Sequence, residues 1–379
     1  MNNLSKKVII IGPAHPLRGG IASFNHRLAR QFMREGHECS IYSFSLQYPS
    51  IFFPGKTQFT TEPAPQDIRI YSRINSVNPF SWFAVGNAIR DQKPDLVVMR
   101  FWIPFLAPAL GTIARRIKKN NHTKIIAITD NVVPHEKRIG DNTFTKYFFN
   151  SCDAFVTMSL EVMAELKEFE KEKPAICVKH PLLDNFGDPL PKKEARAKLG
   201  IDPDVDLILF FGFIRKYKGL DILIQAMTFV KEKRNVKLLV AGEFYEDEKQ
   251  YNEFIDELNI RDSLIMHNHF IPDSEVRFYL SAADAVIQPY RNATQSGVTP
   301  LAFHFEKPMV VTNVGGLPEF VSHEKAGIVT EPDPQSIADG ILRFYELGED
   351  YFIPHLRNEK QKYSWQKLVE TLVDLSESK

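Results

Sequence analysis

The sequence predicts an α/β protein built from two doubly wound, Rossmann-like domains facing each other across a cleft. Three observations predict it. Short apolar runs alternate with longer amphipathic ones, which implies parallel strands joined by crossover helices. The apolar runs are nearly continuous, so the sheets are buried on both faces. A length of 379 residues, at roughly 100–200 residues per domain, has room for about two such units.

In the first half the strand-like runs are Val8–Ile11, Ser40–Phe44, Ile68–Tyr71, Leu96–Met99, Lys124–Ile128, Ala154–Thr157 and Ile176–Val178. Between them lie helix-like stretches at Ile21–Arg34, Ser81–Asp91, Ile103–Lys119 and Leu160–Phe169. The second half repeats the style. Its strands are expected at Leu207–Phe211, Lys237–Ala241, Leu264–His267, Ala285–Gln288, Met309–Thr312 and Ile328–Thr330. Its helices are expected at Leu220–Lys231, Glu248–Leu258, Ser274–Ser281, Gly297–Phe305 and Pro334–Glu346. The segment His180–Gly200 is rich in Pro, Gly and charge and reads as a linker. The expected division is 1–184 and 185–360, with a final helix over 361–379. Ligands of open parallel sheets bind at the carboxyl ends of strands.

Composition narrows the classes. Lys+Arg and Asp+Glu both number 47, and neutral net charge argues against a nucleic-acid binder. The three cysteines form no CxxC pair, so neither a zinc site nor a disulfide framework is expected, and a reducing, cytoplasmic setting fits best. The N-terminal apolar run ends at Gly12-Pro13, too early for a signal peptide. No stretch of about 18 apolar residues exists for a spanning helix.

Four constellations carry possible chemistry. In GPAHPLRGGIASFNHRLARQF, Gly19 and Gly20 precede a helix. Glycines there admit a close-lying ligand and the helix start favours anions; a plain βα turn explains them as well. The motif is not GxGxxG, and no acidic residue ends the second strand, which disfavours a nicotinamide site. In FFGFIRKYKGLDILIQAM, a strand ends at Gly212 and Arg215, Lys216 and Lys218 crowd the loop before a helix. Cations oppose the dipole at a helix start, so a diphosphate between them would relieve the conflict. The alternative is a solvated basic loop. In QPYRNATQSGVTPLAFHF, the polar run Thr294-Gln295-Ser296 and Gly297 open another helix where an anion would lie, and Gly315-Gly316 follows the next strand. In ITDNVVPHEKR, Asp130, Asn131, His135 and Glu136 gather at one strand's carboxyl end, where they could orient a sugar hydroxyl or move a proton. An ordinary polar loop is the competing reading.

At these residues the chain resembles a family 4 glycosyltransferase of GT-B fold. The resemblance runs through REGHECSIYSF, DAFVTMS, FGFIRKYKGLDILIQAM, VAGE, HFIPDSEVRFYLSAADAVIQPY, KPMVVTNVGGLPE and SWQKL. It implies transfer of a sugar from a nucleotide-diphosphate sugar to an acceptor hydroxyl, with retention of configuration and with neither metal nor cofactor. Residues 1–184 would hold a glycan or lipid-linked acceptor and residues 185–360 the donor, with the final helix crossing back to the first domain. Arg215 and Lys218 would clamp the diphosphate beside Gly212. Gly19 and Gly20 would approach the same phosphates. Ser296, Gly297 and Val298 would offer N–H groups, and the backbone at Phe270 and Ile271 would meet the base.

Three departures from the family pattern stand out. The Glu-x7-Glu pair is absent: aligning on Gly297 puts Thr294 and Ala302 there, and aligning on Lys307-Pro308 puts Ala293 and Leu301 there. Thr294 and Gln295 are the expected substitutes. The Arg of the G-R-L-x-x-x-K-G pattern is Phe213, with Arg215 displaced by two. The acceptor-side His is replaced by Asp130, while His135 survives in PHE, so either could act on the acceptor.

Residues 90–140 hold ten Lys/Arg against four Asp/Glu. Arg115, Arg116, Lys118 and Lys119 follow the aromatic stretch FWIPFLAPAL, a pattern for peripheral contact with the inner face of a cell membrane; a buried helix with a solvated basic end competes with it. The role expected is surface polysaccharide or glycolipid assembly in a bacterium. The rivals are a GT-B nucleotide-sugar epimerase and a degenerate sugar-nucleotide-binding subunit.

Overall fold

The computed structural model describes residues 5–49, 57–133, 140–293 and 296–378. The chain forms two compact units, one of Met1–His180 with Ser364–Lys379 and one of Pro181–Tyr363. The first contains β1 (Lys7–Ile11), α1 (Gly20–Arg34), β2 (Glu38–Leu46), β3 (Arg69–Asn75), α2 (Pro79–Gln92), β4 (Leu96–Phe101), α3 (Ala107–Ile117), β5 (Lys124–Thr129), α4 (Asp141–Phe149), β6 (Ala154–Thr157), α5 (Leu160–Phe169) and β7 (Ala175–Cys177). The second contains α6 (Lys192–Leu199), β8 (Asp206–Phe211), α7 (Leu220–Lys233), β9 (Val236–Ala241), α8 (Glu248–Glu257), β10 (Leu264–His267), α9 (Val276–Ala282), β11 (Ala285–Gln288), α10 (Val298–His304), β12 (Met309–Thr312), α11 (Leu317–Phe320), β13 (Gly327–Thr330), α12 (Pro334–Leu347) and α13 (Glu349–Lys360). The last helix, α14 (Trp365–Glu377), packs on α1 and β5 of the first unit.

Both sheets are parallel throughout. Their orders are β3-β2-β1-β4-β5-β6-β7 and β10-β9-β8-β11-β12-β13. Each order reverses once, at β1/β4 and at β8/β11. Such a reversal splays the loops at the strands' carboxyl ends and opens a crevice for a ligand. The loops after β1, β8 and β11 are three of the four constellations named above.

Two sequence readings need correction. The linker His180–Gly200 contains α6, whose Arg196 is buried and bonds Asp284 and the carbonyls of Ala282 and Pro203. An ion pair across 88 residues leaves no local trace in a charged octapeptide. The helix expected over Ile103–Lys119 is a 3₁₀ turn at Pro104–Leu106, then α3, then a second 3₁₀ turn at Lys118–Asn120. Pro104 and Pro108 account for the late α start, since neither offers an N–H to the ladder. Of the two readings of FWIPFLAPAL, the buried one holds: Phe101, Leu106, Ala107 and Leu110 are fully buried.

Candidate functional site

In the second unit the loop leaving β8 is tied to its neighbours at several points. Ile214 forms a parallel bridge with Phe244, donating its N–H to the Glu243 carbonyl (2.9 Å) and accepting from Tyr245 (3.0 Å). The segment is therefore extended, and side chains alternate along it. Ile214 turns into the core, and Phe213 and Arg215 share the opposite side. Both flank one ring: Phe213 packs on Tyr245 at 4.5 Å, and the Arg215 guanidinium lies 4.8 Å over the same ring. Phe270 stacks on Phe213 at 6.1 Å, and its neighbour Ile271 is buried.

Gly212 and Gly219 have φ of 96° and 69°, in the left-handed region. A Cβ on Gly219 would lie 2.0 Å from the Pro289 carbonyl oxygen, so only glycine lets this loop meet the loop after β11. Arg291 ties the pair further, donating its N–H to Tyr217 (2.7 Å) and its side chain to the Lys216 carbonyl and to Asp221.

Lys218 is the central side chain. It is 8% exposed, and no carboxylate pairs with it among the described residues. Its Nζ lies 3.1 Å from the point a Cβ on Gly212 would occupy, and 5.7 Å from the centre of the Tyr290 ring. Burial, and then the Arg215 charge, push its pKa down from 10.5 to about 7. Two cations that repel each other, one of them desolvated, make a place for an anion.

The loop after β11 completes this group in part. Ser296 Oγ lies 3.3 Å from the Tyr290 hydroxyl, and the Val298 side chain would touch a Cβ at Gly212. The expectation of three free N–H groups needs correction, because Val298 donates its own to Ser296 Oγ (3.2 Å). A serine hydroxyl that accepts from the N–H two residues further on closes a local turn. Gly297 is the N-cap of α10 and supplies no capping side chain. Thr294 and Gln295 lie outside the described residues.

In the first unit Gly19 (φ 109°) leads into α1, which begins at Gly20 with no side-chain cap. The preceding loop is anchored by His26, whose Nε2 accepts the His15 N–H (3.0 Å). Burial and then Arg30 lower the His26 pKa to about 4, so the ring stays neutral and keeps that acceptor.

Asp130, after β5, is not a freely presented carboxylate. Arg100 of β4 donates Nε to one oxygen (3.2 Å) and Nη2 to the other. Arg100 is 1% exposed, and its guanidinium lies 4.1 Å over Phe24 of α1. Its Nη1 and the Asn25 Oδ1 are buried without a hydrogen-bond partner among the described residues. Asn131 follows Asp130 on the same loop and is half-buried. His135 and Glu136 lie outside the described residues. Sequence reasoning missed Arg100, although a lone charge inside the apolar run LVVMRF was a visible signal. It also missed Tyr245, for which no sequence signal pointed to the Arg215 loop. Among the described residues no three His, Cys, Asp or Glu side chains converge as a metal site, and no helix is long and apolar enough to cross a membrane.

Two family models match the chain. Glycosyltransferase Family 4 covers residues 18–180, and Glycosyl transferases group 1 covers residues 191–362. The chain belongs to the family 4 glycosyltransferases. Among curated relatives, an uncharacterized glycosyltransferase of Methanocaldococcus jannaschii is 32% identical over 48% of this chain and 47% of its own length. A D-inositol 3-phosphate glycosyltransferase of Corynebacterium urealyticum is 26% identical over 69% of this chain and 63% of its own. The chain thus spans between about half and just under two thirds of these relatives. The sucrose-phosphate synthase of Thermosynechococcus elongatus shares the fold with a TM-score of 0.76 at 16% identity, over 98% of both chains. HepE of Anabaena, solved with UDP and glucose, gives 0.73 at 16% identity over 97% of this chain and all of its own. Two parallel-sheet, Rossmann-like domains of GT-B type are therefore the fold.

Proposed function

We propose that this chain transfers a sugar from a nucleotide-diphosphate sugar to an acceptor hydroxyl, with retention of configuration, in the assembly of a bacterial surface polysaccharide or glycolipid. The second unit would bind the donor and the first the acceptor. The observation that carries the reading is Lys218, a buried ammonium with no carboxylate partner among the described residues, beside Arg215 at the carboxyl end of β8. HepE, solved with UDP-glucose, makes a uridine diphosphate sugar the first donor to try.

Breaking the bond between the anomeric carbon and the phosphate oxygen leaves an electron-poor sugar and a more negative diphosphate. Lys218 and Arg215 would stabilise that added charge. Preorganised donors of this kind contribute about 2.7–4 kcal/mol each when removed singly. The acceptor oxygen would attack from the face the diphosphate leaves, and a diphosphate oxygen would take its proton. Such a path asks for no strong protein base, which suits an Asp130 whose two oxygens already serve Arg100. The scheme draws on no cofactor and no metal. Asn131, His135 and Glu136 are the residues expected to orient the acceptor.

Thermal unfolding with UDP-, GDP- and ADP-sugars tests the donor. A ligand of the native state raises the midpoint, and the largest rise names the base. If none of the panel moves it, the donor reading is wrong. The anomeric configuration of the product, read by NMR, tests retention.

A further inference from the structure

Helices α2, α3 and α4 pack side by side over one face of the first unit's sheet. Among the described residues nine large apolar side chains are exposed; four belong to α2 and α4, and a fifth lies just before α2. These five are Val77 (49%), Phe80 (84%), Phe83 (45%), Phe144 (42%) and Tyr147 (36%). Asn78 Oδ1 accepts the Phe80 N–H at 3.0 Å and caps the start of α2, where this exposed ring sits.

Two arginines of α3 join these rings into one surface. Arg116 lies 5.4 Å over Phe83 and bonds Asn87 Oδ1 on α2. Arg115 lies 3.8 Å over Tyr147 and donates to that residue's carbonyl on α4. Small residues make room for them: a Cβ on Gly86 would meet Arg116 Cβ at 2.6 Å, and one on Gly111 would meet the Tyr147 ring at 2.7 Å.

The charge on this layer is of one sign. Lys93, Arg115, Arg116, Lys119 and Lys146 have no carboxylate partner among the described residues. Of the carboxylates on the three helices, Asp91 is taken by Arg90, and Asp141 sits at the start of α4. Self-association through this face would set like charges against each other. Exposed aromatic rings beside arginines that have no carboxylate partner among the described residues suit the boundary of an anionic bilayer, where rings enter the headgroup layer and cations meet lipid phosphates.

We propose that the α2–α4 face of the first unit docks on an anionic lipid surface. The face is not the FWIPFLAPAL stretch, which lies in the core. The inference stands apart from the donor reading, and its test separates the two. The purified chain should co-sediment with vesicles containing phosphatidylglycerol at ~0.1 M salt and not with pure phosphatidylcholine vesicles. Phe80→Ser with Phe83→Ser, and separately Lys119→Glu with Lys146→Glu, should each weaken binding by about tenfold or more, while circular dichroism and the sugar-nucleotide thermal shift stay as in the parent. Absence of binding to the phosphatidylglycerol vesicles overturns the proposal. So does binding that both double variants retain, or a dimer in light scattering that the Phe80→Ser, Phe83→Ser variant dissolves.

Discussion

Replacing Lys218 by Met should make the free protein more stable and the enzyme less active. The lowering of its pKa from 10.5 to about 7, by burial first and the Arg215 charge second, sets the scale of the cost of keeping this ammonium charged. At about 1.4 kcal/mol per pH unit, the penalty at neutral pH is on the order of 5 kcal/mol. A methionine of similar length removes it while filling the same space. Recovery of only a third, ~1.5 kcal/mol, would raise the melting midpoint by about 3–6 °C for a unit of this size. The sign with pH follows from the same shift. The folded-state pKa lies below the unfolded one, so between about 7 and 10.5 the unfolded chain binds the extra proton. Parent stability should therefore rise with pH across that window, and the Met variant should lack the rise. With a sugar nucleotide at a hundred times its dissociation constant, the parent gains ~2.7 kcal/mol. A variant that binds a hundredfold more weakly keeps only ~0.4 kcal/mol of that. Differential scanning calorimetry from pH 6 to 10, with and without ligand, reads all three effects. A Lys218→Met protein that is less stable than the parent and still shows the full ligand-induced rise would refute the reasoning.

Arg215→Ala should lower kcat/KM by about tenfold or more, and Phe213→Arg in that background should restore part of the loss, since positions 213 and 215 share one side of an extended segment; a radiolabelled-sugar transfer assay measures both. Asp130→Ala leaves Arg100 charged and buried, and should cost about 3–5 kcal/mol in urea unfolding, with the double change Arg100→Met, Asp130→Asn costing less than Asp130→Ala alone. Gly212→Ala puts a side chain at φ 96° and 3.1 Å from Lys218 Nζ. It should destabilise by about 1–2 kcal/mol and weaken the sugar-nucleotide thermal shift more than a change at exposed Gly200 does.

The strands were legible because their cause is local. β4, β6 and β11 are buried along their whole length, so apolarity alone marks them. Helices whose burial depends on distant partners were not legible. In α4 only Thr145, Phe148 and Phe149 are buried, and the rest reads as polar loop. In α13 the internal Pro354 and the charged ends hide a helix that buries just Phe352 and Leu356. The glycine loops were legible for the converse reason: positive φ at Gly19, Gly212 and Gly219 is a property of one residue, which glycine alone meets without strain. The pairing of Arg100 with Asp130 depends on β4 lying beside β5, and adjacency in a sheet is written nowhere in thirty residues of sequence.

The displaced arginine shows how a local rule and a topological one combine. Taken as a string, Phe213 at the expected cation position reads as a lost function. The bridge between Ile214 and Phe244 makes the segment a strand in miniature, and a strand returns to the same side every second residue. A shift of one would have buried the guanidinium in the place of Ile214, which is fully buried. A shift of two keeps it on the Tyr245 side and leaves position 213 free for an aromatic that packs on the same ring. Positions 213 and 215 thus face one side of the segment, and that is why rescue by Phe213→Arg is the sharper test of the proposed clamp than loss by Arg215→Ala.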